Sequence, residues 1–286
     1  MRTIDNRAIA VAGAVRRRSE YDYALFEYLR SPKILQVLDR CGVRVEGRLV
    51  LDAGCGAGGT ALSFAEEAGF VAGLDIDARF ADTGTRLQGE KRIAGAGFVK
   101  GDGVRLPFRS DSFDLVLSHE VIEHIYEGPG YLHEMRRVLR PGGVVYLSTA
   151  PYLSLTGAHL PRLRLPLPIH LVLGRTLTLR LFHALARQAA FVFREKREAS
   201  SFIKAAQDGR PVSDTLLQKI RVAPLRAWID DAGFRVRHEG LRVTGFFERA
   251  LPGPLRRLLA RTPWIQDVLI GNIEYVLEKT ASPAAS

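Results

Sequence analysis

The chain has 286 residues, of which 47% are hydrophobic and 25% are charged, and its formal net charge is +10. This length allows one large domain or two small ones, and the apolar content is enough to bury a sizeable core. Two cysteines, Cys41 and Cys55, are too few for a disulfide framework and predict a reducing, cytoplasmic compartment. No apolar run reaches the roughly 18–20 residues that span a bilayer. The apolar stretch Ala8 to Val15 precedes its basic cluster, Arg16 to Arg18, which argues against a secretory signal.

The first 42 residues are predicted to form an arm followed by a helical cap. Residues 1–18 are expected to be a loose arm. In residues 19–42, apolar and aromatic side chains recur at helical spacing on both sides of Pro32. These side chains are Tyr21, Leu25, Tyr28, Leu29, Ile34, Leu35 and Leu38. The tyrosines could either pack on a sheet or cover a ligand site.

A glycine-rich turn follows the short apolar run Leu49 to Leu51 and precedes a helix predicted over Thr60 to Ala68. Gly54, Gly56 and Gly59 fit the spacing G-x-G-x-x-G. A strand that turns through glycines into a helix presents backbone N–H groups and the positive end of the helix dipole to a ligand. The turn therefore predicts a site for a nucleotide-like cofactor.

Two aspartates narrow the choice of cofactor. Asp75 follows the apolar run Phe70 to Leu74, at the distance from the turn where an acid binds ribose hydroxyls in a dinucleotide or an adenosine site. Asp52 stands two residues before Gly54, and its carboxylate would repel a diphosphate and attract an amino group or a sulfonium. This charge argument disfavours hydride transfer with a nicotinamide cofactor and favours S-adenosylmethionine (SAM).

Alternating apolar strands and helices continue to about residue 150, as a parallel doubly wound sheet requires. Further along, Trp228 to Gly233 is predicted to be the last crossover helix. Phe234 to Phe247 is predicted to be the sixth strand, and Asn272 to Glu278 the seventh. The predicted fold class is α/β with a Rossmann-like, doubly wound sheet of seven strands.

Four ordered blocks between residue 49 and about residue 150 resemble the motifs of class I SAM-dependent methyltransferases of the methyltransferase type 11 group. The blocks are Leu51 to Gly59, Gly73 to Asp77, Gly101 to Phe108 with Ser112 to Val116, and Met135 to Thr149. The resemblance implies an antiparallel last pair of strands. It also implies that the N-terminal helices cover the cofactor site.

The resemblance assigns SAM contacts to nine residues. Ordered from the methionine end of the cofactor to its adenine, they are Asp52, Gly54, Cys55, Gly56, Ser118, Asp75, Ile76, Asp102 and Gly103. Asp102 could instead be a turn aspartate in Gly-Asp-Gly. Because SAM brings its own leaving group, the protein's task is positioning and desolvation.

The candidate acceptor-side residues are Glu120, Glu123 and His124, whose spacings of three and four predict one shared face of a short helix. The stretch Ser118 to His124 resembles polyprenyl-benzoate O-methyltransferases of ubiquinone synthesis. It also resembles small-RNA 2′-O-methyltransferases with a Glu-x-x-Glu-His divalent-metal site. Ser-His-Glu-Val replaces the Asn/Asp-Pro-Pro-Tyr/Phe tetrad of exocyclic-amine methyltransferases, which favours an oxygen acceptor.

Three roles stay open for these residues. The carboxylates and the imidazole could hold a divalent metal, for which His159 or His170 would supply a further ligand. His124 could instead act as a general base or orient the acceptor. In the third interpretation, the stretch only begins a helix.

Residues 151–225 carry 12 Lys or Arg against 4 Asp or Glu, a net charge of +8. After Gly174, a helix predicted over Thr176 to Arg197 places basic side chains on one face, namely Arg180, His183, Arg187 and Arg194. An insertion after strand five lies over the ligand-binding edge of the sheet and predicts a lid. Its basic face could be solvated, contact an anionic membrane or bind RNA. A second basic amphipathic piece, Leu255 to Leu269, slightly favours the membrane.

These observations predict a helical cap at 1–42, a SAM-binding core at 43–150, a basic lid at 151–225 and a completion of the sheet at 226–286. The expected function is methyl transfer to a hydroxyl of a small or lipid-linked molecule, in the cytoplasm or at the inner face of the membrane. An RNA methyltransferase is the main alternative, which the absence of a recognisable RNA-binding module disfavours. A SAM-fold protein that binds without catalysis is the alternative of a different class.

Overall fold

The computed structural model describes residues 3–16, 18–154, 169–186, 188 and 219–280. The chain divides into two compact units. The first unit comprises Met1–Thr149, Arg226–Gly240 and Glu274–Ser286. The second comprises Ala150–Leu225 and Leu241–Ile273.

Seven strands of the described chain form one sheet. They are β1 (Leu49–Ala53), β2 (Phe70–Asp75), β3 (Ala96–Lys100), β4 (Phe113–His119), β5 (Leu139–Thr149), β6 (Phe234–Val243) and β7 (Ile270–Lys279). Their order across the sheet is β3-β2-β1-β4-β5-β7-β6. The first five strands pair in parallel and β7 is antiparallel, which confirms the predicted Rossmann-like sheet. The strand order reverses between β1 and β4, the point where open α/β sheets bind ligands.

The helices of the described ranges surround this sheet or lie in the second unit. They are α1 (Asn6–Val15), α2 (Glu20–Arg30), α3 (Pro32–Arg40), α4 (Gly59–Phe64), α5 (Thr83–Lys91), α6 (Gly128–Val138), α7 (Ile169–Ala186), α8 (Val222–Asp231), α9 (Gly245–Ala250), α10 (Gly253–Leu259) and α11 (Ile265–Leu269). Two short 3-10 turns cover Ala78–Phe80 and Ile122–His124. No helix in these ranges combines the length and the hydropathy of a membrane span.

The prediction of a loose arm over residues 1–18 is wrong for its central part, since α1 is a helix of ten residues. Asp5 begins it, and its side chain accepts the backbone N–H groups of Arg7 and Ala8 at 2.9 Å each. Such a cap satisfies donors that the first helical turn leaves without partners. Ile9 and Ala12 are buried, so tertiary packing adds to the cap.

Helix α2 packs closely on α4, which begins directly after the glycine turn. A Cβ atom on Gly59 would lie 2.1 Å from the carbonyl oxygen of Ala24 and 2.8 Å from Cβ of Glu27. Only glycine permits this approach, so Gly59 fixes α2 beside the turn. The predicted cap helices are present, and Pro32 occupies the first turn of α3, where its missing N–H costs little.

The predicted elements of the C-terminal half have different bounds, and the last crossover helix begins at Val222 rather than Trp228. Helix α7 continues on both sides of Gly174, which interrupts it at φ 66° and ψ 175°, whereas the prediction began after that residue. Arg187 and Arg194 lie outside the described residues. The sixth strand stops at Val243 rather than Phe247, because the carbonyl of Thr244 accepts the N–H of Glu248 and begins α9.

Candidate active site

The glycine turn leaves β1 at the point where the strand order reverses. Gly54 has φ +98° and its N–H donates to the carbonyl of Leu74 at 2.7 Å, which joins the turn to the end of β2. A Cβ atom on Gly54 would lie 2.5 Å from both methyl groups of Val121, in the segment after β4. The turn therefore requires glycine here, both for its dihedral angle and for its space.

Asp75, the last residue of β2, accepts a hydrogen bond from the same turn. Its Oδ2 accepts the N–H of Gly56 at 2.7 Å, and its Oδ1 accepts the N–H of Asp77 at 2.9 Å. The following residue, Ile76, is an exposed apolar side chain at the end of the strand. The predicted ribose residue therefore contacts the turn directly, although it lies 19 positions after Gly56 in the sequence.

Asp52 is a buried acid without a complete set of partners. Its side chain is 2% exposed, and Oδ2 accepts no hydrogen bond from any described residue. Burial, together with the charges of Asp75 and Glu27, raises the pKa of Asp52 to about 7. A buried carboxylate in this state is stabilised by a cation, so the residue fits an ammonium or sulfonium group.

Cys55 differs from the other residues of the turn, because its side chain packs into the core. Its sulfur would lie 3.1 Å from a Cβ atom on Gly73 of β2, and it belongs to the same apolar cluster as Val71. Burial strongly raises the pKa of its thiol. Only the backbone of Cys55 is therefore available to a ligand.

Asp102 forms a turn of its own in the loop after β3. Its Oδ1 accepts the N–H of Val104 at 3.1 Å, and Tyr126 donates its hydroxyl to Oδ2 at 3.3 Å. A Cβ atom on Gly103 would lie 2.8 Å from the ring of Tyr131. The turn-forming role of Asp102 is present, and a carboxylate oxygen can accept a further donor beside Tyr126.

Sequence reasoning missed Tyr131, which joins the ends of β1 and β4 beneath the site. This fully buried tyrosine of α6 donates its hydroxyl to the carbonyl of Ala53 at 2.7 Å and lies 3.1 Å from Oγ of Ser118. Ser118 is also fully buried. A tyrosine on the apolar face of a helix was a signal that its polar end needs a buried partner.

A second missed group links α2 to the end of β4. Arg30 donates to Nε2 of His119 and, at 2.9 Å, to Oε2 of Glu27. Because a guanidinium only donates, the proton of His119 is on Nδ1, which lies 2.5 Å from Oγ of Ser148. Burial, and then the charge of Arg30, lowers the pKa of His119 to about 3. His119 is therefore a neutral structural group that orients α2 against the sheet.

The prediction that Glu120, Glu123 and His124 share one face of a helix is wrong. The helical segment is a 3-10 turn of only three residues, Ile122–His124, and Glu120 precedes it with a left-handed φ of +57°. Glu123 is buried, whereas His124 is exposed. Glu123 and His124 consequently have different surroundings.

The carboxyl groups of Glu120 and Glu123 affect each other's ionisation. Burial raises the pKa of both, and the charge of Glu120 raises that of Glu123 further. Thr149 donates to Oε2 of Glu123 at 2.8 Å, whereas Oε1 of Glu123 is buried without a hydrogen-bond partner among the described residues. The pKa of Glu123 is raised to about 8, so Glu123 is protonated near neutral pH.

The hypothesis of a divalent-metal site finds no support in the described part of the chain. There, no three His, Cys, Asp or Glu side chains are close enough together to hold a metal ion. Of the two histidines considered as further ligands, His159 lies outside the described residues, as does the side chain of His170.

Comparison with known proteins finds a family model that matches the part of the chain containing this site. Residues 51–147 match the model of the methyltransferase type 11 family, described as a methyltransferase domain. The matched residues are 97 of the 286, so the likeness concerns about a third of the chain. The match begins at the last residues of β1 and ends in β5, so it includes the glycine turn, Asp75, Asp102 and the Glu120–His124 stretch.

Relatives of the methyltransferase domain occur among mycobacterial proteins. An uncharacterised methyltransferase of Mycobacterium leprae is 31% identical over 158 residues, which cover 54% of this chain and 57% of that protein. A probable S-adenosylmethionine-dependent methyltransferase of Mycolicibacterium smegmatis is 38% identical over 113 residues, or 40% and 42% of the two chains. The chain thus spans about half the length of the curated relatives it matches.

Solved structures share the fold over most of the chain. A SAM-dependent methyltransferase from Mesorhizobium loti superposes with a TM-score of 0.54 at 18% identity, covering 85% of this chain and 96% of the other. At this identity the likeness concerns the fold alone. The domain family implies SAM as the cofactor, in agreement with the charge argument at Asp52.

Proposed function

We propose that this protein is a SAM-dependent methyltransferase that acts on a hydroxyl group of a small or lipid-linked acceptor. The observation that carries the proposal is the buried, incompletely partnered carboxylate of Asp52 beside the glycine turn. The amino group of a SAM methionine tail is a chemical match for this oxygen. A dinucleotide would bring a diphosphate instead, which the same carboxylate would repel.

The other residues of the turn suit the remaining parts of SAM. Asp75 would take ribose hydroxyls, and the exposed side chain of Ile76 would lie against the adenine. Asp102 would accept from the adenine amino group, with Gly103 leaving the space that a side chain would fill. Ser118, held by Tyr131, would support the pocket below the methionine chain rather than contact the cofactor through a free hydroxyl.

SAM supplies an electrophilic methyl group on a sulfonium, so the chain itself has to orient the acceptor and receive its proton. The Glu120–Glu123 pair suits the second task. Burial raises the pKa of Glu120, which makes it a stronger base than an exposed carboxylate, and the neighbouring Glu123 is protonated near neutral pH. The exposed His124 stands beside the pair in sequence and is suited to orient the acceptor or pass the proton to solvent.

Calorimetric titration with S-adenosylhomocysteine and, separately, with NAD tests the cofactor. We expect micromolar binding of the first and none of the second. Asp52→Asn, which keeps the shape but not the charge, should weaken binding by about 10–100-fold, as loss of a charged hydrogen bond does. Asp230→Asn, on an exposed turn of α8, is the matched control and should bind normally.

Two results would contradict the cofactor assignment. Binding of NAD would overturn it directly. Equal binding of S-adenosylhomocysteine by the wild type and Asp52→Asn would remove the observation that carries it. If the cofactor binds, the acceptor is sought with radiolabelled SAM among hydroxylated lipids and quinone precursors, and turnover only of an RNA would replace the hydroxyl-lipid proposal by its alternative.

A further inference from the structure

One surface of the second unit combines exposed apolar side chains with unpaired arginines. It is formed by residues 245–265, which contain α9, α10 and the start of α11, and is called here the 245–265 surface. Neither α9 nor α10 contains a buried residue. Helices of a soluble domain normally bury one face, so a helix pair without a buried side chain has an unmet partner.

The apolar side chains of this surface are concentrated rather than scattered. Five of the 15 exposed large hydrophobic side chains in the described chain lie within these 21 positions. They are Phe246, Leu255, Leu258, Trp264 and Ile265. Single exposed apolar residues need no explanation, but a group of this size marks an interaction surface.

Trp264 is held outward by its own surroundings. It is 68% exposed, and its backbone has a φ of +74°, which is strained for a bulky L-residue. The guanidinium of Arg221 lies 4.1 Å from the centre of its ring. Arg221 is fixed in turn by the buried Asp267, at 2.9 Å, which also accepts the N–H of Val222. A strained backbone at an exposed tryptophan, whose ring is covered by an ion-paired arginine, indicates a functional position.

The charge of the surface decides what it binds. Residues 245–265 contain four arginines and one acid, a net charge of +3. Arg249, Arg257 and Arg261 are exposed and form no ion pair with another described residue. A second copy of this chain would therefore bring like charges together. A nucleic acid would use the arginines but leave Leu255 and Leu258 in water.

We propose that the 245–265 surface docks on an anionic lipid bilayer. Trp264 and Phe246 would lie at the level of the headgroups, where aromatic rings are favoured, and Leu255 and Leu258 would enter the acyl boundary. The arginines beside them would meet the negative surface of the leaflet. This places the membrane contact in a segment distinct from the insertion at 151–225, and the assignment does not depend on the methyltransferase activity.

The test is co-sedimentation of the full chain with vesicles of phosphatidylcholine, with and without added phosphatidylserine. The wild type should bind only the anionic vesicles, and less well at high salt. Each arginine near such a surface contributes about fivefold, so Arg249→Gln, Arg257→Gln and Arg261→Gln together should weaken binding on the order of 100-fold. Leu258→Ser should weaken it with the charge intact. Exposed positions of the first unit serve as controls, Arg40→Gln for charge and Val236→Ser for apolarity.

Fluorescence gives a second readout of the same contact. The chain has two tryptophans, so Trp228→Phe leaves Trp264 as the only one. Its emission should shift to shorter wavelength on anionic vesicles and be quenched by brominated acyl chains. The proposal is overturned if no vesicle binds, or if binding is unchanged in the arginine and Leu258 variants. It is equally overturned if those variants abolish self-association or RNA binding instead of lipid binding.

Discussion

The carboxylate of Asp75 accepts the backbone N–H of Gly56 at 2.7 Å, so the acid at the end of β2 holds the glycine turn that follows β1. Its second oxygen accepts the N–H of Asp77 at 2.9 Å. The residue proposed to bind ribose therefore also stabilises the conformation of the turn. A substitution that removes it changes both functions, and the choice of variant decides which of the two is measured.

Asp75→Ala should lower the free energy of unfolding by about 2–4 kcal/mol, because two N–H groups lose a charged acceptor. Asp75→Asn keeps one acceptor oxygen and should cost roughly half as much. Urea denaturation followed by circular dichroism measures both. Asp82→Ala, an exposed acid that makes no side-chain cap to α5, should stay within about 0.5 kcal/mol of the wild type. If Asp75→Ala is equally harmless, the turn does not depend on this carboxylate.

Asp52 should destabilise the protein in the absence of a ligand above neutral pH. Its pKa is about 7 in the folded chain and near 3.8 when unfolded, so the folded state binds the proton more tightly. The stability that this proton contributes is complete below pH 4 and is lost as the pH rises towards 7. Asp52→Asn should therefore raise the free energy of unfolding by up to about 4 kcal/mol at pH 8 and little at pH 4. Equal effects at the two pH values would contradict the raised pKa.

Cofactor binding should release protons near pH 7. An ammonium group beside Asp52 favours the ionised carboxylate, which is about half protonated at that pH in the free protein. Titration with S-adenosylhomocysteine in phosphate and in Tris should therefore give different apparent enthalpies, corresponding to roughly half a proton released. Asp52→Asn should abolish the difference. Identical enthalpies for the wild type in both buffers would exclude a cation at this carboxylate.

The sheet and the cofactor side of the site could be predicted because their signals are local. The apolar runs of β1 and β2, the glycines between β1 and α4, and Asp52 and Asp75 at strand ends are all contained in one short stretch. Close packing explains Gly59 only after the structure is known, since Ala24 of α2 approaches it from 35 positions away. The glycine motif could be recognised in the sequence, but the close approach of α2 that requires glycine at position 59 could not.

The acceptor side could not be predicted in the same way, because its geometry depends on distant contacts. Arg30 and His119 meet across 89 positions of sequence, and Tyr131 reaches Ala53 across 78. Helical spacing placed Glu120, Glu123 and His124 on one helix face, yet the backbone of Glu120 is left-handed and the helical segment is a 3-10 turn of three residues. Residue spacing predicts the shared face of a regular helix or strand, and the segment from Glu120 to His124 is neither.

His119 should remain neutral throughout the physiological range. Burial and Arg30 lower its pKa from 6.5 to about 3, so the unfolded chain takes up a proton that the folded chain refuses. The stability is therefore complete above pH 6.5 and is lost as the pH falls towards 3. Glutamine does not take up a proton in either state. The free energy of unfolding of His119→Gln should therefore fall by about 1–2 kcal/mol less than that of the wild type between pH 7 and pH 5. His133→Gln, on the exposed face of α6, is the control. An NMR titration that places the His119 midpoint near 6.5 would contradict the prediction.

The two carboxyl groups of the acceptor side should respond differently to the same change. Glu123 is protonated near neutral pH, so Glu123→Gln keeps an uncharged side chain that can still accept from Thr149. Because the hydrogen bond from Thr149 is retained, we expect the kcat of Glu123→Gln to stay within a few-fold of that of the wild type. Glu120→Gln removes the proposed base and should lower kcat by about 10²–10⁴-fold with little change in cofactor binding. Steady-state rates with an identified acceptor, and calorimetry with S-adenosylhomocysteine, separate the two effects. Equal losses in both variants would mean that the charge of Glu123, rather than its proton, is required.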